Sequence, residues 1–201
     1  MRDTFEFTVD WFSHFEPFWR FMIGDVKPRR ALEIGSFEGR SAVFLLEQCA
    51  AFGPLDLTCI DTWAGGAEHA GFDMAAVEAR FDRNIAHATA AYGGAVRKLK
   101  SASVQALARL VADGAGGQFD FIYIDGSHQA ADVLADAVLA FALLRVGGVL
   151  AFDDYLWDGP GQARLQSPKF AIDAFVNTYL GKAKIIKGAP LVQIYIAKTA
   201  H

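Results

Sequence analysis

A glycine-containing segment in the first quarter of the chain has the residue types of a ligand-binding turn. Residues 33–41 read EIGSFEGRS. Glycines let a backbone approach a ligand closely, and a helix behind such a turn offers free N–H groups. A dinucleotide-binding turn has the spacing G-x-G-x-x-G, but Phe37 and Arg40 occupy its second and third glycine positions here. The turn therefore lacks the pyrophosphate pattern. Glu33, two residues before Gly35, favours a cofactor that carries a positive charge.

An acidic residue follows the second predicted strand. Asp61 ends the strand predicted over residues 55–60 and precedes Thr62 and Trp63. An acid at this sheet edge, some 20 to 30 residues after the glycine turn, is placed to accept hydrogen bonds from ribose hydroxyls. The alternative is an ordinary turn residue or helix cap. Because Asp61 and the Gly35 turn occur together at the right spacing, we favour the ribose interpretation.

Three further aspartates follow two other predicted strands. Asp125 ends the strand over 119–124, and Asp153 and Asp154 end the strand over 149–152. The carboxyl ends of parallel strands share one sheet edge, so these carboxylates should converge. Three buried like charges are costly unless protons or a cation neutralise them, and carboxylate oxygens suit Mg²⁺, Mn²⁺ or Ca²⁺. The three are candidate metal ligands; the alternative is a solvated acidic face, since residues 120–158 contain seven Asp and one basic residue.

Histidine supplies the candidate base. His128 lies three residues after Asp125, and an imidazole has a pKa suited to general-base chemistry near neutral pH. His128 and Asp125 are therefore the candidate catalytic residues. The alternatives for His128 are a helix cap or a contact with cofactor or substrate. His69, in a predicted loop, could also face a substrate, although a lone loop histidine is usually only solvated.

These residues are positioned by strands that alternate with helices, as hydrophobic periodicity indicates. Strands are predicted over 31–34, 55–60, 96–99, 119–124, 149–152, 183–186 and 191–197. Helices are predicted over 41–51, 75–92, 104–112, 130–144 and 167–180, with Gly147 and Gly148 ending the fourth. Alternating strands and helices predict a parallel α/β sheet covered on both faces. The long loops over 64–72 and 155–167 lie at its carboxyl edge, where they should select a ligand.

Residues 1–27 form an aromatic-rich segment before the first strand. Six large side chains recur at helical spacing, with Pro17 starting a new turn; they are Trp11, Phe12, Phe15, Phe18, Trp19 and Met22. The segment is predicted to be a helix packed on the sheet. The alternatives are a cap over the substrate and the contact surface of a homodimer.

Composition excludes several classes of protein. Of the 201 residues, 53% are hydrophobic and 21% charged, which excludes a disordered or fibrous chain. The net charge of −4 argues against a nucleic-acid partner. The sequence shows neither a membrane-spanning run nor a signal peptide, so we expect a cytoplasmic protein without a membrane partner. Cys49 and Cys59 lack metal-site spacing and are expected to be reduced core thiols.

Taken together, these segments resemble class I S-adenosylmethionine-dependent methyltransferases, most closely the small bacterial group called methyltransferase domain 24. Residues 32–41 look like the first motif of that class, and residues 124–128, IDGSH, look like a second landmark. Further matching segments are 8–13, 61–63 and 145–149, so the resemblance spans nearly the whole chain. Residues 153–159 are also similar to the metal-binding Asp-Asn stretch of catechol- and caffeoyl-type O-methyltransferases, except that Asp154 replaces Asn.

The resemblance implies a role for each matching position. Glu33 would contact the methionine amino group, Asp61 would hold the ribose, and Trp63 would lie beside the ribose or adenine. Residues 101–103 would border the adenine. The implied cofactor-binding residues are Glu33, Gly35, Ser36, Gly39, Ser41, Asp61, Thr62, Trp63, Ser101, Ala102, Ser103, Asp125 and Gly126.

The expected protein is therefore a single class I methyltransferase domain over residues 1–201. Its fold would be α/β and Rossmann-like, with a seven-stranded, mostly parallel sheet, helices on both faces and an antiparallel last strand. Its reaction would be methyl transfer from S-adenosylmethionine to the hydroxyl of a small-molecule acceptor, with a divalent cation as an assisting group. Two alternatives are a Rossmann-type oxidoreductase, which the missing glycines oppose, and a cofactor-binding protein without catalysis.

Overall fold

The computed structural model describes residues 5–66, 69–157 and 166–201. A short 3-10 helix, Ser13–Phe15, precedes the first α-helix. The α-helices are α1 (Glu16–Val26), α2 (Arg40–Cys49), α3 (Met74–Tyr92), α4 (Ser103–Ala112), α5 (Ala130–Leu143) and α6 (Pro168–Thr178). The strands are β1 (Arg30–Ile34), β2 (Asp56–Asp61), β3 (Ala95–Lys100), β4 (Phe119–Ile124), β5 (Leu144–Phe152), β6 (Ala183–Ile185) and β7 (Ile194–Lys198).

The described strands form one seven-stranded sheet in the order β3-β2-β1-β4-β5-β7-β6. Strands β1 to β5 pair in parallel, whereas β7 runs antiparallel to both β5 and β6. The predicted mostly parallel sheet with an antiparallel last strand is confirmed. The strand order reverses direction between β1 and β4, and in open α/β sheets a ligand crevice lies outside the carboxyl ends at such a point.

Apolar cores cover both faces of the sheet. On one face α1, α2 and α3 pack through residues such as Trp19, Phe44 and Phe81. On the other face α4, α5 and α6 pack through residues such as Leu107, Phe141 and Phe175. Both faces of a parallel sheet must be buried, which accounts for the near-continuous apolar runs of β1, β2 and β4. Cys49 and Cys59 are free and buried, as predicted.

The aromatic segment packs on the sheet, which was the first of its predicted arrangements. Trp19 is fully buried, with its ring centroid 5.2 Å from that of Phe121 and 4.8 Å from that of Tyr123. Trp11 and Phe21 stay exposed. A role for the N-terminal segment as a cap over the substrate or as a homodimer contact remains a prediction.

The fourth predicted helix ends within one residue of its predicted end, but the role given to the two glycines that follow it was wrong. Strand β5 begins at Leu144 and runs through Gly147 and Gly148, which were expected to terminate α5. A register irregularity between Phe119 and Phe121 lets β5 pair with β4 before and after these glycines. A Cβ at Gly148 would lie 2.9 Å from the carbonyl oxygen of Asp120, so glycine permits this close approach.

Helix length and apolarity bear on membrane insertion as well. In the described part of the chain, none of the helices combines the length and the apolar character needed to cross a bilayer.

Candidate active site

Most of the candidate residues meet at the carboxyl edge of the sheet. They lie on both sides of the switch point, which is the place between β1 and β4 where the strand order reverses. The glycine turn continues from the end of β1, Asp61 is the last residue of β2, and Asp125 and Asp153 directly follow β4 and β5. Backbone pairing continues past the strand ends, since Gly35 N donates to Ile60 O at 2.9 Å and Asp125 N donates to Ile34 O at 2.8 Å. The edge is therefore held by main-chain bonds as well as by side chains.

Glu33 is fully buried and has its own hydroxyl donors. Ser36 Oγ donates to Glu33 Oε2 at 2.6 Å, and Ser41 Oγ donates to Glu33 Oε1 at 2.5 Å. Burial raises the pKa of Glu33 from 4.5 to about 7, which the two serine hydroxyls only partly oppose. Ser36 and Ser41, which were predicted to bind the cofactor, thus donate their hydroxyl protons to the Glu33 carboxylate.

Asp61 accepts main-chain hydrogen bonds from the glycine turn. Its Oδ2 accepts from the N–H groups of Ser36 and Phe37 at 2.8 and 2.9 Å, and its Oδ1 accepts from Trp63 N at 2.7 Å. A carboxylate offers about four acceptor positions, so these three bonds leave it capacity for a ligand hydroxyl. Asp61 both fixes the turn and remains available at the edge, where it is partly exposed.

The glycines of the turn are required by their surroundings. Gly35 has φ +84°, and a Cβ there would lie 1.8 Å from the carbonyl oxygen of Asp125. Gly39 has φ +82°, and its Cβ would lie 3.0 Å from the Phe81 ring. A Cβ on Gly126 would lie 3.1 Å from Ile34. Gly35 therefore permits the close packing of the β1 turn against the end of β4.

The implied position of Trp63 beside the ribose or adenine stays a prediction, because in this structure its ring faces the core. The Trp63 ring is buried against Phe81, and its Nε1 donates to Phe37 O at 2.9 Å. Trp63 has φ +45°, a left-handed backbone that directs the side chain into the core on the α3 side of the sheet. Trp63 supports the glycine turn from behind. Thr62 is exposed at the edge, and its Oγ1 accepts a hydrogen bond from Ala64 N.

The turn between β3 and α4 lies beside Asp61, as the adenine assignment of residues 101–103 requires. Ser101 N donates to Asp61 O at 2.9 Å. Ala102 is exposed and precedes the first residue of α4, Ser103, which is half-buried. Ala102 supplies no side-chain cap to the helix.

On the other side of the switch point, two carboxyl groups share one phenol. The Tyr123 hydroxyl lies 3.0 Å from Asp125 Oδ2 and makes a shorter hydrogen bond with Asp153 Oδ2. Gln193 Nε2 also donates to Asp153 Oδ2, at 2.9 Å, and Asp154 N donates to its Oδ1 at 2.8 Å. Burial, and then the neighbouring aspartates, raise the pKa of Asp153 to about 6 and that of Asp125 well above its usual range.

The third aspartate pairs with the candidate base. Asp154 Oδ2 lies 2.8 Å from His128 Nε2, and the imidazole stacks on Trp157 with ring centroids 4.2 Å apart and 8° between the planes. Asp154 has φ +57°, so its side chain leaves the strand on a different course from that of Asp153. Asp154 and Trp157 therefore fix the orientation of the His128 ring.

This arrangement does not fit the predicted metal site of Asp125, Asp153 and Asp154. Asp125 and Asp153 are joined through the Tyr123 hydroxyl, Asp153 is bonded on both oxygens, and Asp154 is paired with His128. Within residues 5–66, 69–157 and 166–201, no group of three or more His, Cys, Asp or Glu side chains is arranged to hold a metal ion.

Three residues of this region escaped the sequence analysis. Tyr123 had a detectable signal, because a tyrosine inside a buried apolar strand needs a partner for its hydroxyl. Trp157 lies within residues 153–159, the stretch that resembles the metal-binding segment of other O-methyltransferases, but the sequence suggested no role for it. Gln193 had no signal, since it precedes β7 and is far from Tyr123 in sequence. Of the two loops predicted to select the acceptor, residues 67–68 and 158–165 lie outside the described residues, and Asp158 is among them.

His69 occupies the described part of the first loop. Its Nδ1 accepts a hydrogen bond from Gly66 N at 3.0 Å, and its ring lies near those of Trp11, Phe37 and Phe72. His69 therefore belongs to an aromatic group beside the glycine turn.

Comparison with known proteins defines the class. The model of a family described as methyltransferase domain matches residues 32–155, which is more than half of the chain. The chain belongs to this methyltransferase domain family, and the match contains the glycine turn, Asp61, Asp125, His128 and Asp153.

Two curated proteins and one solved structure illustrate what the chain is similar to. The chain is 33% identical over 146 residues to the uncharacterized protein y4gI of Sinorhizobium fredii, covering 72% of this chain and 15% of that protein. It is 26% identical over 140 residues to caffeoyl-CoA O-methyltransferase of Stellaria longipes, covering 69% of this chain and about half, 51%, of the plant enzyme. Its fold is similar to the O-methyltransferase of Bacillus cereus crystallised with S-adenosylhomocysteine, with TM-score 0.66, 18% identity, and coverage of 96% and 84% of the two chains.

Proposed function

We propose that this protein transfers a methyl group from S-adenosylmethionine to a hydroxyl of a small molecule. The observation that carries the proposal is the position of the His128–Asp154 pair at the same sheet edge as the glycine turn of a methyltransferase domain. The likeness to caffeoyl-CoA O-methyltransferase supports oxygen as the accepting atom.

The β1 and β2 side of the edge has the donor and acceptor set for this cofactor. A buried carboxylate at Glu33 suits an ammonium group, and the remaining acceptor capacity of Asp61 suits ribose hydroxyls. The turn between β3 and α4 lies within reach of a base attached to that ribose, because Ser101 is bonded to the Asp61 backbone. S-adenosylmethionine, when bound, supplies a methyl group already activated by its sulfonium.

The β4 and β5 side orients and deprotonates the acceptor. His128 removes the proton from the acceptor hydroxyl as the methyl group is transferred, and Asp154 stabilises the resulting imidazolium by accepting from Nε2. The Trp157 ring limits rotation of the imidazole. Tyr123 keeps Asp125 and Asp153 paired, so that these acids shape the site and do not compete for the proton.

Cofactor binding is tested by calorimetry with S-adenosylhomocysteine. We expect micromolar-range affinity, an order-of-magnitude value for a preformed small-molecule site. Asp61→Ala should weaken binding by about 1–3 kcal/mol, because the ribose loses a charged acceptor and the turn loses its main-chain anchor. Asp56→Ala is the matched control, since Asp56 is exposed at the opposite end of the same strand. Unchanged affinity in the Asp61 variant would remove that residue from the site, and a thermal shift with NAD(H) alone would favour the oxidoreductase alternative.

Turnover is tested with labelled S-adenosylmethionine and a panel of phenols and alcohols. His128→Ala should lower turnover by about 10²-fold or more while leaving S-adenosylhomocysteine affinity unchanged. Exposed His14 provides the control substitution to Ala. Retained cofactor binding without transfer to any acceptor would instead favour a binding protein without catalysis.

The metal-assisted version of the reaction makes the opposite prediction about chelation. It would require Asp153 to leave Tyr123 and Gln193, so we propose the histidine version. Activity should then survive excess chelator. Loss of activity in chelator that Mg²⁺ or Mn²⁺ restores would overturn the histidine version and return Asp125, Asp153 and Asp154 to their predicted role.

A further inference from the structure

Asp136 is a buried acid that the proposed reaction does not use. It lies in the second turn of α5, between Val133 and Ala137 on the face that packs against α4, and is 1% exposed. Neither of its carboxylate oxygens has a hydrogen-bond partner among the described residues. Burial raises the pKa of Asp136 from 3.8 to about 6, and the nearby Ser103 hydroxyl opposes that rise. An acid buried at this cost needs an explanation.

The position of Ser103 provides one. Ser103 is the first residue of α4, and it follows the turn whose Ser101 N–H is bonded to Asp61 O. A nucleoside with its ribose on Asp61 therefore has this turn beside its base. We propose that Asp136 is a positioning residue: its oxygens are unpaired among the residues that the structure describes, and when a cofactor binds it takes the hydroxyl proton of the nearby Ser103 in a hydrogen bond and so selects a nucleoside with an exocyclic amino group. This inference rests on the proposed function, because it assumes that the edge binds such a cofactor.

Hydrogen-bond polarity gives the reason for this selection. An ionised carboxylate only accepts hydrogen bonds, so it commits the hydroxyl proton of Ser103 to itself. The oxygen of Ser103 is then left with lone pairs, which accept from the 6-amino group of adenine. A 6-oxo base offers no donor at that position, and its oxygen would face the lone pairs of Ser103.

The test compares two ligands that differ only at this position, S-adenosylhomocysteine and S-inosylhomocysteine, by calorimetry at pH 8. Wild-type protein should prefer the adenosyl compound. Asp136→Asn keeps the shape but can donate to Ser103, so the preference should fall about tenfold, the size of one net hydrogen bond. Ser103→Ala should reduce the preference similarly, and the double variant should lose no more than either single one. Asp113→Asn, an exposed acid at the other end of α4, is the control.

A merely structural Asp136 would give a different result. Its substitution would weaken both ligands equally or lower the melting temperature, with the ratio of the two affinities unchanged, and that outcome overturns the inference. If Asp136→Asn does not fold, an unchanged ratio in Ser103→Ala overturns it equally well. Failure of wild-type protein to bind either ligand would instead overturn the proposed function itself.

Discussion

The two sides of the switch point treat buried acids differently. On the β1 and β2 side each carboxylate has its own donors, as Glu33 has two serine hydroxyls and Asp61 has three main-chain amides. On the β4 and β5 side Asp125 and Asp153 share one donor, the Tyr123 hydroxyl, although Asp153 also accepts from Gln193 and from the Asp154 main chain. Dedicated donors fix a rigid binding surface, whereas shared donors leave protons whose positions respond to a ligand.

The largest effect should come from the residue at which the two sides touch. Gly35→Ala would place a Cβ 1.8 Å from the Asp125 carbonyl oxygen, with a strained φ of +84°. We expect a loss of more than about 4 kcal/mol in the free energy of unfolding, measured by urea denaturation.

Gly71→Ala separates strain from contact. Gly71 also has a positive φ, +102°, but a Cβ there would meet nothing within 4 Å among the described residues. Its cost should be the backbone strain alone, about 1–2 kcal/mol. Equal costs for the two variants would show that the two sides are not in close contact at Gly35.

Glu33 should show the next largest effect, because its two serine hydroxyls do not fully offset the cost of burying its charge. Its folded-state pKa is raised from 4.5 to about 7, so the folded protein binds the proton more tightly than the unfolded chain. The contribution of Glu33 to stability is therefore fully present below about pH 4.5 and is lost as the pH rises towards 7. In Glu33→Gln this loss is absent, so its stability should gain about 3 kcal/mol relative to wild type between pH 4.5 and pH 8.

Urea denaturation of both proteins across that pH range provides the measurement. A difference that stays constant with pH would show that folding does not raise the pKa of Glu33. The comparison is made without cofactor, because an ammonium group bound at Glu33 would lower its pKa.

The third prediction tests the shared donor. Tyr123→Phe keeps the ring packed against Trp19 but removes the hydroxyl between two buried acids. We expect a loss of about 2 kcal/mol in thermal or urea unfolding, larger at pH 8 than at pH 5, because protonated carboxyls can bond to each other. Tyr179→Phe is the control, since that ring packs against Phe141 and Phe175 and no hydroxyl hydrogen bond is seen among the described residues. Equal losses in both variants would remove the distinction between the two sides.

Much of the fold was predictable because it depends on periodicity. Strand β4 was predicted with its observed bounds, and α3 with a difference of one residue at its start, because buried strands and amphipathic helices repeat at fixed spacing. Gly147 and Gly148 were misplaced, because whether a glycine pair ends a helix or lies in a strand depends on the neighbouring strand.

The direction of side chains at strand ends was less predictable. Trp63 and Asp154 both have left-handed backbones, with φ of +45° and +57°. This conformation is uncommon for residues other than glycine, and the sequence alone did not predict it at either position. That conformation turned Trp63 into the core and Asp154 towards His128. The aspartates of residues 120–158 likewise lie in different parts of the structure. Asp120 bonds to Arg145 at the opposite edge of the sheet, whereas Asp153 lies in the candidate site.

The smallest effect should come from removing one of several hydrogen-bond donors to the same buried acid, Glu38. Glu38, in the glycine turn, is buried and accepts from Thr8 N, Thr8 Oγ1 and Arg80 Nε, which ties the N-terminal segment to α3. Thr8→Val keeps the size of the side chain and the main-chain bond but removes the hydroxyl at 2.7 Å. Because Glu38 keeps two donors, the free energy of unfolding should fall by only about 1 kcal/mol.

Thr89→Val is the matched control for Thr8→Val, since its hydroxyl bonds only within α3, to Ile85 O and Ala86 O. Its effect should lie within about 0.5 kcal/mol of wild type. A loss for Thr8→Val as large as that for Tyr123→Phe would show that the number of donors per acid does not distinguish the two sides. A loss near half of that value, with S-adenosylhomocysteine affinity unchanged, would extend the donor-rich side from Glu33 and Asp61 to the segment that precedes α1.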